Sequence, residues 1–406
     1  MVAKMSRSEA EVWAYRADVA EQAIRNRHAT SLWSLPHTNL AVPSWPAPRS
    51  HRLFLTWHYW WQAHYLDCLV DAALRVPSQE KLQVVRRTVR GIRRRNLSPL
   101  SSNKYFDDRA WMALALQRVD RVQRRRRSSR STHKLITALS NGRDETFGVL
   151  PWRHGEPFFN APSNGPAAIA LARAGRVDEA IELTQWMFRN LRQEIPGHDA
   201  DEPTLLIDGL RRTNGETTRV TAIYSYNQGV AIGACVEIGH QLLQRNEPQR
   251  AAYYFEQASD LIHVVARDLA SADSVIPGCG GGDGGLFNGI LARYLADAAV
   301  RLPQNDPAGR AAARIARRMV LKSGEAAWMH RLEVDGLPLF PADWTKDAQF
   351  PYGKGTVAAK KQGAVHGSEI HERDLSVQLS GWMLMEAGSR VAQDAHRRTI
   401  LNGSLE

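Results

Sequence analysis

An all-α fold is expected from this sequence, on three observations. Apolar residues recur at the i, i+3, i+4, i+7 spacing of a buried helix face in segment after segment. Few stretches alternate as half-buried strands do. The helical segments run about 15 residues each and are joined by alternately short and long connections, which suits a closed ring of paired helices. An open solenoid would show the same pattern, but no repeat with a fixed motif is visible.

The periodicity predicts about twelve helices. They lie near 8–27, 55–73, 78–95, 107–120, 130–140, 163–174, 177–194, 226–244, 249–269, 288–302, 308–321 and 375–393. The first places Trp13, Ala17, Ala20 and Ile24 on one face. The second places Trp57, Trp60, Trp61, His64, Tyr65, Cys68 and Leu69 together. Val177, Ala180, Ile181, Met187 and Leu191 repeat the pattern, as do Ala251, Tyr254, Phe255, Ala258, Ile262 and Val265. Pro36, Pro43, Pro46 and Pro48 make 35–50 an irregular connection, and Pro157, Pro162 and Pro166 do the same ahead of 163–174. The glycine-rich run 277–285 reads as a loop of close approach, and 340–372 as a long segment rich in Gly, Lys and aromatics. His330 to Phe340, centred on Asp335-Gly336, reads as one short hairpin. No connection is long and polar enough to divide the chain, so residues 1–406 are expected to form one domain.

Hydrophobic residues make up 43% and charged residues 23%, which suits a soluble globular protein with a large core. No apolar run approaches the roughly 20 residues that cross a bilayer. The first thirty residues lack the apolar core and small-residue cleavage site of a secretory signal, so a cytoplasmic location is expected. Three cysteines, Cys68, Cys235 and Cys279, form no metal or redox spacing, and the first two fall on apolar helix faces. The formal charge of +11 is concentrated at Arg86, Arg87, Arg90, Arg93, Arg94 and Arg95, and again at Arg121, Arg124 to Arg127 and Arg130. Such runs are ordinarily solvated helix ends and loops. As a functional feature they suit an anionic lipid surface better than nucleic acid, because no aromatic residue interrupts the second run and no nucleic-acid-binding signature accompanies it.

Four segments could carry chemistry, and each stands at a predicted helix N-terminus, so a ring would gather them on one rim. In Asn103-Lys-Tyr-Phe-Asp107-Asp108-Arg-Ala-Trp111, two adjacent carboxylates sit among aromatic residues. Acidic residues favour helix N-termini for structural reasons alone. Glycosidic hydrolysis, however, needs one carboxylate and one carboxylic acid, and close like charges supply the two states. A non-helical turn at this point would set the carboxyls about 5 Å apart, the separation of retaining enzymes. Phe158-Phe159-Asn160 with Asn164, Tyr224-Ser-Tyr226-Asn227-Gln228, and Gly282-Asp283 through Phe287-Asn288-Gly289 combine amides, carboxylates and aromatics. Amides and tyrosine hydroxyls both donate and accept, as sugar hydroxyls require. The structural alternative is helix capping at Asn227 and packing of Tyr226. His154, His366 and His371 have no metal-ligand spacing, and no phosphate-loop pattern is present, so neither metal nor cofactor is expected.

Taken in order, these segments resemble glycoside hydrolase family 76, the α-1,6-mannanases. The resemblance rests on Tyr105-Phe-Asp-Asp108 with Trp111, Pro151-Trp152-Arg153, Asn160, Asn164, Ile207-Asp208-Gly209, Tyr226-Asn-Gln-Gly229, Asp283 through Phe287, Gly289 and Arg293-Tyr294, and spans about 57–390. It implies an (α/α)6 barrel and retaining, endo-acting cleavage of α-1,6-linked mannose backbones, with Asp107 as nucleophile and Asp108 as acid/base. It makes Asp208, Asn227 and Gln228 cleft-lining. With Asn160, Asn164, Tyr226 and Asp283 they form the expected sugar-binding set. The expected substrate is an α-1,6-mannan or a mannose-containing glycolipid, and the arginine stretches are expected to touch an anionic membrane. The sequence departs from the family in Tyr-Phe where Tyr-Tyr is common, in the missing secretion signal, and in the arginine-rich 121–130. A transglycosylase would share every residue named. A sugar isomerase on a similar barrel would need histidines as acid and base. A catalytically silent glycan- or lipid-binding protein would not need the intact carboxylate pair.

Overall fold

The computed structural model describes residues 8–125, 129–197, 199, 202–352, 355–361 and 363–403. The chain runs α1 (Glu9–Arg27), β1 (Ala29–Thr30), β2 (Leu40–Ala41), the single turn α2 (Arg49–Arg52), α3 (Tyr59–Arg75), α4 (Gln79–Asn96), α5 (Phe106–Val122) and α6 (Arg130–Ser140). It continues through β3 (Phe158–Asn160), α7 (Ala161–Arg173), α8 (Val177–Asn190), β4 (Ile207–Thr213), β5 (Glu216–Ile223), α9 (Ser225–Gln244) and α10 (Pro248–Asp268). Then come α11 (Phe287–Arg301), α12 (Pro307–Met329), β6 (Leu332–Val334), β7 (Leu337–Leu339), β8 (Ala359–Lys361), β9 (Ala364–His366) and α13 (Leu375–Gly403). All twelve predicted helices are present. The hairpin predicted at 330–340 is β6–β7.

Helices α3, α5, α7, α9, α11 and α13 each pack on the next, and α13 closes on α3. Outside this ring α4, α6, α8, α10 and α12 pack on the inner helices they follow, and α1 packs on α13. The fold is an (α/α)6 barrel, as expected, closed by its first helix against its last. The sequence separates the two layers. In α7 every residue from Ala161 to Ala172 is buried, as in a helix covered on all sides, whereas α4 buries only Val85, Thr88, Gly91 and Ile92.

Glycines allow three inner helices to approach closely near their N-termini. A Cβ on Gly165 would stand 2.3 Å from Val230 Cγ2, one on Gly229 2.9 Å from Leu291 Cα, and one on Gly289 2.7 Å from Ser380 Cα.

The long connections are fixed by a recurring device. The fourth residue of four inner helices is a buried amide, and its oxygen and nitrogen pair with the backbone N–H and C=O of one residue in the incoming chain. Gln62 clamps Ala41 at 3.1 and 2.7 Å. Asn164 clamps Leu150 at 2.9 and 2.9 Å. Gln228 clamps Leu206 at 2.9 and 2.8 Å, and Gln378 clamps Phe340 at 3.0 and 2.9 Å. The second amide hydrogen reaches a carbonyl four to six residues earlier, on Trp57, Asn160, Tyr224 and Glu372 respectively. Each amide is thereby satisfied inside the protein, as burial demands.

Further along the same inner helices the ring is tied by buried ion pairs. Arg118 on α5 and Arg293 on α11 both grip Asp67 and Asp71 on α3. Burial opposes the charge on Asp67, but Arg118 and Arg293 outweigh it and hold the carboxyl down at about 2. Asp297 takes Arg301 and Arg390, and Glu237 takes Arg173 and Arg301.

The strand content exceeds expectation. Strands β3, β4 and β5 form an antiparallel sheet in that order. Its hairpin turns at Asn214-Gly215, both left-handed at φ 52° and 88°. Asn-Gly between two alternating runs is a strong hairpin signal, and Ile207–Ile223 carries it. The β8–β9 hairpin, within the segment read only as long and Gly-rich, carries no such dipeptide. α12 extends to Met329 and α13 to Gly403, beyond the expected ends.

Replacing Gln228 by Ala leaves the N–H and C=O of Leu206 and the C=O of Tyr224 without partners. We expect a loss of about 2–3 kcal/mol, read as an earlier calorimetric melt. An unchanged Tm would show that the clamp is not structural.

Candidate active site

The N-termini of the inner helices meet on one rim and enclose a cleft of about 650 Å³. Its floor and walls include Trp60, Tyr105, Asp107, Asp108, Trp111, Trp152, Asn160, Asp208, Tyr226, Asp283 and Phe287. The gathering of the four predicted segments on one rim is thus observed.

Asp107 and Asp108 occupy the first turn of α5, behind an extended Tyr105. This corrects the expected non-helical turn: Tyr105, not the pair, forms the helix boundary. The neighbouring loop fixes them. Trp152 accepts the otherwise free N–H of Phe106 at 2.9 Å through its backbone carbonyl, and its indole donates to Asp107 Oδ2 at 2.9 Å. The N–H of Asp108 donates to Asp107 Oδ1 at 2.8 Å. Asn103 donates to Asp108 Oδ2 at 2.7 Å.

Burial raises both carboxyls. Asp108 is pushed up to about 6. Asp107 rises well above the usual range, because repulsion from Asp108 adds to burial. The pair therefore keeps one proton as pH approaches neutrality. The larger rise at Asp107 would by itself place the proton there, but the hydrogen bonds argue the reverse. Each oxygen of Asp107 faces an N–H, which stabilises a carboxylate. Among the described residues Asp108 receives a donor at Oδ2 alone, leaving Oδ1 for a proton. The proton therefore resides on Asp108, because a proton on Asp107 would displace a donor.

The remaining expected residues divide into two groups. Tyr226 stacks on Phe287 with centroids 4.0 Å apart and lines the cleft. Asp208 also lines it, and burial pushes its carboxyl up to about 6 against the opposing bond from Asn227. Asn160 lines it while its side chain caps α7 at Ser163 N–H. The others do not serve as expected. Asn164 and Gln228 are fully buried outside the cleft, and their amides are spent on Leu150 and Leu206. Asn227 is fully buried and turns its amide to Asp208. Asp283 lines the cleft, yet Oδ1 accepts both Trp60 and Trp61 indoles at 2.8 and 3.0 Å, and Oδ2 accepts Val365 N–H at 2.7 Å. It joins α3 to the β8–β9 hairpin, which takes up most of its acceptor capacity. Gly209 serves β3: a Cβ there would lie 2.4 Å from Phe159 O.

Residues outside the expected set also line the cleft. Trp57, His58 and Trp60 come from the aromatic run that leads into the first turn of α3, whose density is a usable signal. Lys360, on β8, holds its ammonium 4.4 Å from the centre of the Tyr105 ring; nothing in the sequence marks it. Burial keeps His58 neutral down to about 3. Among the described residues no three His, Cys, Asp or Glu side chains group to hold a metal.

The arrangement offers a carboxylate and a carboxylic acid side by side under aromatic walls, which is the equipment for protonating and displacing a glycosidic oxygen. Comparison with known proteins agrees. The α-1,6-mannanase GH76A from Salegentibacter sp. HEL1_6 shares the fold, with TM-score 0.73 at 24% identity over 93% of this chain and 99% of that one. The Lin0763 protein from Listeria innocua superposes with TM-score 0.72 at 22% identity, covering 93% and 97%. Dfg5 from Chaetomium thermophilum, solved in complex with glucosamine, does so at 0.61 and 14%, covering 97% and 93%. No curated protein sequence matches the chain significantly. The model of glycosyl hydrolase family 76 matches residues 26–350, which takes in the carboxylate pair, most of the cleft lining and most of the barrel, and the chain belongs to that family.

Proposed function

We propose that this protein is a retaining, endo-acting α-1,6-mannosidase, with Asp107 as nucleophile and Asp108 as acid/base. The observation that carries the proposal is the hydrogen-bonding difference within the pair. Asp107, held by Trp152 and the Asp108 N–H, stays ionised and attacks the anomeric carbon. Asp108 gives its proton to the leaving glycosidic oxygen, then takes one from the water that releases the glycosyl intermediate. Tyr226, Phe287 and Trp60 offer faces to the sugar rings, and Asp208 accepts from hydroxyls across the cleft from the pair. Support for the substrate comes from a relative. An inactive variant of the Salegentibacter enzyme, with two consecutive aspartates replaced by asparagine, was solved in complex with α-1,6-mannotriose. The natural substrate is proposed to be a mannan carried on a lipid anchor, in keeping with the basic surface. An isomerase is disfavoured, because among the described residues the one histidine lining the cleft, His58, is too weak a base for that role.

The test is hydrolysis of a linear α-1,6-mannan with the anomeric configuration of the first product followed by NMR. Retention is expected; inversion, or no hydrolysis, would overturn the proposal. Asp107→Asn should abolish turnover on every substrate. Asp108→Asn should do so on the mannan, while a mannoside with an activated leaving group partly restores its first step. Wild-type rates in either variant would sink the assignment.

The raised carboxyls also bear on stability. An aspartate in the unfolded chain ionises at about 3.9, but Asp108 in the fold ionises at about 6. Between these values the folded state holds the proton and the unfolded state does not. Stability therefore falls as pH rises through that window and stays lowered above it. Asp108→Asn should melt above wild type at neutral pH, and the gap should close below about pH 4. A gap that is constant with pH would show that Asp108 is not strained by ionisation.

A further inference from the structure

The outer face of α4 is basic along its length. Arg86, Arg87, Arg90 and Arg94 are all exposed and follow one another at helical spacing. Among the described residues none of the four is in an ion pair. Several other arginines on the outer layer do have acidic partners, such as Arg16 with Glu325 and Arg267 with Asp268. The second arginine run differs: Arg125 lies 3.5 Å from Asp120, and Arg126 and Arg127 lie outside the described residues.

The basic face ends at the cleft rim in apolar side chains turned to solvent. Leu97, which ends α4, is 80% exposed, and Leu55 is 69% exposed. Leu53 and Trp33 adjoin them, the indole of Trp33 donating to Leu53 O at 2.7 Å. Arg95 ties the two segments together by donating to Phe54 O and Leu55 O at 2.7 and 3.3 Å. Leu55, Arg95 and Asn96 also line the cleft, so the apolar cluster stands at its mouth.

The backbone here favours other residues than those present. Leu97 has a left-handed conformation, φ 58°, as do Trp33 at 47° and Phe54 at 51°. That region suits Gly or Asn, and a bulky side chain there is held against local strain. A leucine that is both strained and four-fifths exposed gains nothing from the fold of this chain.

We propose that this face docks on an anionic lipid bilayer, with the α4 arginines over phosphate headgroups and Leu55, Leu97, Leu53 and Trp33 inserted among the acyl boundary. Arginines supply the attraction and apolar side chains the depth, as in peripheral membrane proteins. Because Leu55 belongs to both surfaces, docking sets the cleft mouth at the membrane. The inference rests on the proposed lipid-borne mannan only for its biological use, not for its geometry. A nucleic acid would satisfy the arginines but not the apolar cluster.

The test is co-sedimentation of the full chain with vesicles of phosphatidylcholine, with and without phosphatidylglycerol. Binding is expected only with the anionic lipid, and to weaken as salt rises. Each arginine near an anionic surface contributes roughly a factor of five, so Arg86→Gln/Arg90→Gln/Arg94→Gln should bind about a hundredfold more weakly. That variant should hydrolyse a soluble mannan as wild type does. Leu97→Asn, which relieves strain and should raise the Tm, should lower vesicle binding at constant charge. Binding to neutral vesicles alone, unchanged binding in both variants, no vesicle binding at all, or capture of duplex DNA with vesicles ignored would each overturn the proposal. Wild-type vesicle binding without any mannan hydrolysis would overturn the enzymatic proposal and leave this one standing.

Discussion

A long connection that enters a helical barrel brings backbone N–H and C=O groups that neither helix nor sheet can pair, and burying them unpaired is costly. The rim depends on how this is solved. Gln62, Asn164, Gln228 and Gln378 each hold one residue of an incoming connection by both of its polar groups. They stand at the same position in four inner helices, so each connection is anchored beside the helix N-terminus that it feeds. The cleft follows from this. Asn164 holds Leu150, next to the Pro151–Arg153 loop that brings Trp152 to Asp107. Gln228 holds Leu206, two residues before Asp208.

Carboxylates at the rim and deeper along the inner helices are held in opposite ways. Asp67 and Asp297, deep among α3 and α11, are buried with arginines and held low. Asp107, Asp108, Asp208 and Asp283 at the rim are buried without such partners and held high. The same residue type thus serves as a structural anion among arginines and, at the rim, as an acid that burial holds towards its protonated form. Arg118 and Arg293 decide the difference at Asp67, and Arg390 and Arg301 at Asp297.

The fold class was legible because inner and outer helices bury wide apolar faces, as the Val177 to Leu191 and Ala251 to Val265 patterns show. The strands were less so. Asn214-Gly215 did announce a hairpin, but β1, β2 and β8 are two or three residues long, too short for periodicity. Within the site, adjacent aspartates next to aromatics pointed to the pair because that combination is rare and chemically specific. Lys360 could not be found this way, since one lysine of a Lys-Lys pair in a Gly- and Lys-rich segment has no distinguishing neighbours and reaches Tyr105 only through the tertiary fold.

The amides were harder, and the reason is general. Asn164 and Gln228 lie in the same motifs as residues that do line the cleft, and an amide that pairs with a backbone is the same group that would pair with a sugar. What separates them is the length of the side chain's path to an unsatisfied peptide, which no local pattern encodes. Asp283 shows the same ambiguity in a carboxylate: with Trp60, Trp61 and Val365 on its oxygens, it shapes the cleft from within the wall. Charge is sorted along with these roles. The cleft carries four carboxylates against Lys360 and Arg95, and Arg95 is turned onto backbone carbonyls. The exposed arginines Arg86, Arg87, Arg90 and Arg94 lie outside it on α4. The proposed glycan would meet acids and aromatic faces inside, while the proposed attraction to an anionic surface is confined to α4, among whose arginines none acts on Asp108.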